Sequence, residues 1–129
     1  MTALAMARPD LAAHKEALSL EFPQLVSRLV SLIGRKLSAY VAGVKDVRTV
    51  DSWIAGTQPY GEVEPRLRFA FQVVRMLSEH DSPRIVQAWL MGVNPELGDR
   101  VPARLLREGE LDAVAPEVLG AARAFIAGG

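Results

Sequence analysis

Cysteine is absent from all 129 residues, which excludes disulfide bonds, thiolate metal ligands and covalent thiol chemistry together. Histidine occurs only twice, and His14 and His80 stand far apart with no second ligand at metal-binding spacing. Both read as histidines on helix surfaces. Net charge is zero, with 15 Lys and Arg against 15 Asp and Glu, so the chain lacks the cationic excess that nonspecific coating of nucleic acid demands. Long apolar runs are missing too. No stretch approaches the roughly eighteen residues of a membrane span, and Arg8, Pro9 and Asp10 interrupt the start where a signal peptide needs an apolar core. The expected location is the cytoplasm, with no membrane partner.

Catalytic signatures are equally scarce. Gly34, Gly43 and Gly56 stand singly at helix ends, so no glycine-rich phosphate loop forms, and neither a Gly-x-Ser-x-Gly elbow nor a Ser/His/Asp order is present. Glu62 with Glu64, and Glu108 with Glu110, are paired in sequence on turn-like stretches, where solvated carboxylates are the simpler reading than an acid–base pair. Arg66, Arg68 and Arg75 read by default as a solvated helix face, with a weak phosphate or acidic-partner patch as the alternative. The chain is therefore expected to be non-enzymatic and to need no cofactor.

What is abundant is apolar side chain at helical spacing. Half of the residues are hydrophobic, ample for one core or for two helical subdomains sharing one. Asp10 can cap a helix from Leu11, and Pro23 suits the first residue of another in which Leu25, Leu29 and Leu32 lie beside Val26, Val30 and Ile33, ending at Gly34. Arg35 to Ala42 reads as a short helix, and Asp46 can cap a third that runs to about Ala55. After the stretch from Gly56 to Gly61, Pro65 opens a long helix with two apolar stripes, Leu67, Ala70, Phe71, Val74 and Leu77 beside Phe69, Val73 and Met76. Such a helix can pack on two sides and join the halves of the chain. Asp81, Ser82 and Pro83 start the next, whose inward face should be Ile85, Val86, Trp89 and Leu90. Pro102 and Pro116 start two more, the last burying Val118, Leu119, Ala122, Phe125 and Ile126. No stretch alternates at period two, so the expected class is all-α with six to seven helices. The boundaries expected are an N-terminal helical extension over 1–21, a helix-turn-helix-like region over 22–60 and a back half over 61–129.

Charge divides mildly along the same line. Residues 1–56 carry seven Lys and Arg against five Asp and Glu, and the remainder eight against ten, so any DNA contact belongs in the front half. There, Ala39-Tyr40-Val41-Ala42-Gly43-Val44 followed by Val47 to Gly56 resembles the helix-turn-helix of Xre-type repressors. Ala39 is small enough for two short helices to cross closely, Gly43 supplies the turn, and Val50 and Trp53 anchor the second helix inward. Arg48, Thr49, Asp51 and Ser52 then face outward with Lys45 at the helix start, where base edges and phosphates would lie. The stretch from Gly43 to Trp53 is one residue longer than the usual repressor motif, and Asp46 and Asp51 bring negative charge. A core retained as scaffold or dimer surface is thus the alternative to DNA recognition.

The back half carries the more informative pattern: Trp89, then Asn94-Pro95 and Leu97, then Pro102, Arg104, Leu105, Leu106 and Arg107, then Gly109. It resembles the toxin-binding domain of the Xre/MbcA/ParS-type antitoxins, and with the front half the resemblance spans about residues 25–120. Trp89 would fill the core beneath a loop, Asn94 and Pro95 would end one helix in a fixed turn pinned by Leu97, and Pro102 would launch the helix closed by Leu105 and Leu106. The family's usual partner is a RES-domain toxin that degrades NAD. The resemblance implies that this domain holds the toxin inactive by covering its cleft, with contacts around Arg104, Arg107, Gly109 and the last helix. It further implies possible operator DNA as a second partner and a homodimer or higher toxin–antitoxin assembly, since one short recognition helix reads only a half-site. A stand-alone regulator without a toxin, and a structural adaptor, are the rival readings.

Overall fold

A computed structural model describes residues 9–128, with side chains from Leu11 onward. Among these residues there are eight α-helices and no β-strand: α1 Pro9–Ser19, α2 Phe22–Ile33, α3 Arg35–Ala42, α4 Val47–Ile54, α5 Val63–Ser78, α6 Pro83–Met91, α7 Pro102–Glu108 and α8 Leu111–Gly128, with a 3₁₀ turn at Pro95–Leu97 between α6 and α7. The all-α class stands, while the count exceeds the six to seven expected. The surplus lies in the short elements. Helices α3, α4 and α7 have 8, 8 and 7 residues, too few to hold alone in water, and exist as separate helices because neighbours pack on them. No helix among the described residues is long and apolar enough to cross a membrane.

Four starts differ from expectation: α2 begins at Phe22, one residue before Pro23, and α5 at Val63, two before Pro65, each proline falling within the first turn. Helix α1 begins at Pro9, not Leu11, while the side chain of Asp10 and the Arg8 on which the signal-peptide argument leans lie outside the described residues. Helix α8 begins at Leu111, and Pro116 lies inside it. The cause is Glu110, whose carboxylate accepts from the Ala113 N–H at 3.0 Å and caps the helix five residues early. This near the N-terminus, a proline deletes just the bond its missing N–H would have made to Asp112.

The core is organised on α5. Leu67, Ala70, Phe71, Val73, Val74, Met76 and Leu77 are all buried, and α1, α2, α3, α6 and α8 all pack against this one helix. One buried cluster runs from Ala13 in α1 to Ala122 in α8, so the front and back share a core. The expected inward face of α6 holds for Val86, Trp89 and Leu90, whereas Ile85 is 45% exposed, at the margin of the stripe.

The arginines of α5 are neither a solvated face nor a phosphate patch. Arg66, largely buried, donates to the carbonyls of Leu106 and Gly109 at the end of α7. Arg68 donates to those of Ala17 (2.7 Å) and Leu20 (2.8 Å) at the end of α1, and pairs with Glu64. Arg75 joins Glu16 of α1 at 2.9 Å and Glu79 of its own helix. The last carbonyls of a helix have no intrahelical donor and carry its negative dipole end, so a guanidinium reaching across fills both needs.

Three outcomes follow from this arrangement. Phe71→Ala should cost about 3–5 kcal/mol in urea unfolding, the range for deleting a buried aromatic ring. Variants retaining only Trp53 or only Trp89 should report the same fluorescence midpoint, because each tryptophan sits in one half of a common core; separate midpoints would show that the halves unfold independently. Arg66→Ala should lose about 1.5–3 kcal/mol by leaving the α7 carbonyls without their charged donor, measured in the same assay.

Candidate binding surfaces

The front-half corner has the shape its residues call for. Gly43 adopts φ 86°, ψ 15°, a left-handed conformation costly for a side chain bearing Cβ, and the chain turns so that the Val44 N–H reaches the Ala39 carbonyl at 3.1 Å. Ala39 is buried at the crossing. Asp46 caps α4 by accepting from the Arg48 N–H at 2.9 Å, and Val50 and Trp53 are buried, with Trp53 edge-on to Phe22 at 6.0 Å between ring centroids.

The outward residues are more occupied than their spacing suggests. Arg48, with a side chain 85% exposed, folds back onto its own cap Asp46 at 2.6 Å, and Asp51 takes both Nε and Nη2 of Arg35 from α3. The Ser52 hydroxyl donates to the Thr49 carbonyl at 2.6 Å, and Ser52 and Thr49 are half-buried. Lys45 is exposed, and neither it nor Lys36 has a carboxylate at ion-pair distance among the described residues.

In the back half most of the singled-out residues build the scaffold. Trp89, Leu97, Pro102 and Leu106 are buried, and Trp89 packs on Phe125 at 6.4 Å with no acceptor for its indole N–H among the described residues. Asn94 accepts from the Glu96 N–H at 2.9 Å and thereby caps the turn that Pro95 opens, while its backbone N–H and carbonyl bond Arg100 and Asp99. Leu105 is half-buried. Arg104 pairs along its own helix with Glu108 at 3.1 Å. Gly109 is a packing position: a Cβ there would collide with the Val114 side chain and stand 2.7 Å from the Leu105 carbonyl oxygen.

Of the residues singled out in the back half, Arg107 crosses to the front half. Its guanidinium donates to the Tyr40 carbonyl at 2.8 Å and stacks 4.7 Å from the centre of the Tyr40 ring. It thus joins Lys36 and Lys45 around a groove of about 680 Å³ beside the turn, where Asp46 is the one carboxylate. A second groove of about 630 Å³ opens on the other side of Tyr40, where the end of α2 and the start of α3 meet α6 and α7. Its floor is Leu37, Met91, Val101 and Ala103, and Gln87 at its edge donates to the Leu32 carbonyl at 3.1 Å, fixing α6 to α2. Neither groove is visible in the sequence, since each needs residues more than fifty positions apart. Among the described residues no group of three His, Asp or Glu side chains could hold a metal ion.

Searches of family models, curated proteins and solved structures found nothing that matches the chain.

The Arg48 ion pair and backbone bond hold the Asp46 carboxyl below its ordinary value of 3.8. A carboxylate with a depressed folded pKa adds stability above that ordinary value and loses it as the pH falls through the folded one. Asp46→Asn keeps a good cap but no charge, so the melting-temperature gap between wild type and variant should close as the pH drops below about 4; a gap constant with pH would show that the ion pair adds nothing. Gly109→Ala should cost about 1–3 kcal/mol in thermal or urea unfolding through overpacking against Val114.

Proposed function

We propose that the chain is a non-enzymatic antitoxin whose back half binds a RES-type NAD-degrading toxin and neutralises it by steric occlusion. The observation that carries this reading is where large apolar side chains stay exposed. Leu18 (64%) and Tyr60 (89%) are exposed singly in the front half, whereas Met91 (60%) and Val93 (70%) follow one another at and just past the end of α6, Met91 lining one groove and Val93 the hollow next to it. Exposed apolar surface rimmed by polar residues is characteristic of a protein-binding face. The same stretch of chain carries the pattern from Trp89 to Gly109 that resembles a toxin-binding domain. Most of those residues support the face from beneath, so they define the domain while the contacts fall to their neighbours.

A specific observation favours a second activity of the front half. Lys36, Lys45 and Arg107 surround one groove at the helix-turn-helix corner, where cations without carboxylate partners suit a phosphate backbone. Operator binding by a dimer would follow, either as autoregulation or, with no toxin partner, as the chain's whole task.

Growth of bacteria expressing a RES-domain toxin, taken from beside this gene where one is encoded there, with and without this chain, decides between the readings. Rescue with a co-purifying complex is the expected result; toxicity without rescue, or no complex, would leave the regulator. For the front half, Lys45→Ala combined with Arg107→Ala should weaken a gel shift on the upstream DNA and reduce its salt dependence by about one unit of slope per lost phosphate contact. Wild-type shift and slope in that double variant would remove the groove from the DNA surface.

A further inference from the structure

We infer that the groove between α2, α3, α6 and α7 seats an amphipathic helix of the partner protein, with apolar side chains on its inner face and carboxylates where it passes Lys36. The assignment rests on the antitoxin reading and gives the chemistry of its docking surface. Three features determine it. The floor, Leu37, Met91, Val101 and Ala103, is apolar, and the polar lining includes two cations, Arg35 and Lys36, but no carboxylate. Arg35 is held by Asp51, which leaves Lys36 as the positive charge at the rim without an ion-pair partner among the described residues. The α3 N-terminus opens at the same edge with Gly34 as its cap residue, so no side chain accepts from its first N–H groups and its positive dipole end adds to Lys36.

The length of the surface favours a helix over a small molecule. Val101 is shared with an adjoining hollow in which Val93 and Leu105 lie among Asp99, Arg100, Arg104 and Glu108, so the concave surface continues past the groove along the α6–α7 connection with mixed apolar and charged lining. Apolar anchors one turn apart would fill the two hollows in succession, the usual way a groove receives a helix. A second copy of this chain fits less well. Its own exposed apolar helix face, Leu11 and Leu18 on α1, carries Lys15, which docking would bring toward Lys36.

The test uses the full chain and a RES-domain toxin that it neutralises in the growth assay, with affinity measured by calorimetry at several salt concentrations. Met91→Glu and Lys36→Glu should each weaken the complex by at least about tenfold at unchanged melting temperature, Lys36→Glu should also flatten the salt dependence, and Lys15→Glu should bind as wild type. Wild-type affinity in both groove variants would overturn the assignment and leave the antitoxin reading standing. Loss on Met91→Glu with unchanged or tighter binding by Lys36→Glu would overturn the acidic chemistry. A wild-type chain that forms no complex would overturn the antitoxin reading and the assignment with it. Sedimentation showing a wild-type dimer that Met91→Glu dissociates would identify a second copy as the occupant and overturn the partner helix.

Discussion

Helix α5 imposes the constraint on which everything else depends. Eight of its 16 side chains are buried, and they leave no broad face for water. A helix with so much apolar circumference must be covered from several sides, and one that carries arginines between its apolar stripes must find carbonyls or carboxylates for them. Both demands are met by the same neighbours. Helix α1 covers one side and presents Glu16 and the carbonyls of Ala17 and Leu20 to Arg75 and Arg68; α7, carried over by α6, presents its C-terminal carbonyls to Arg66. Burial brings the helices in, and the guanidinium contacts fix how far along α5 each one stops.

That placement in turn creates the surfaces. Because Arg66 fixes the end of α7, the middle of that helix comes to lie along α3, and Arg107 reaches Tyr40 across the division between the halves. Gln87 does the same for α6 and α2. The two grooves are the spaces left around this four-helix contact, one on each side of Tyr40. They are products of assembly and belong to no single segment, which is why a division at residue 60 describes the chain's chemistry less well than its topology does.

The local part of this was legible in the residues. Asp46, Ser82 and Asn94 cap the segments they precede, Gly43 turns where a left-handed residue is required, and Val50 and Trp53 face inward, because each of those outcomes is decided within a few positions. Where tertiary contact decides, spacing was a poor guide. The α5 arginines looked solvated because their partners lie forty to sixty residues away, Ile85 looked inward because its neighbours are, and the start of α8 was drawn at Pro116 because proline is a stronger local signal than the Glu110 cap. The candidate DNA residues show the same limit. Arg48, Asp51, Ser52 and Thr49 do lie on the outer side of α4 or its flank, but the charges of Arg48 and Asp51 and the Ser52 hydroxyl are engaged within the protein, while Lys36 and Arg107, which complete the basic groove with Lys45, come from other helices.

Lys36 and Tyr40 line both grooves, so the two cannot be filled independently. A carboxylate docked beside Lys36 in the apolar groove would neutralise one of the three cations that a phosphate backbone would use in the other. A polyanion held in the basic groove would likewise reduce the charge available to an acidic partner helix. Any such coupling between binding free energies is reciprocal, and its sign here is set by one shared positive charge facing two anionic occupants.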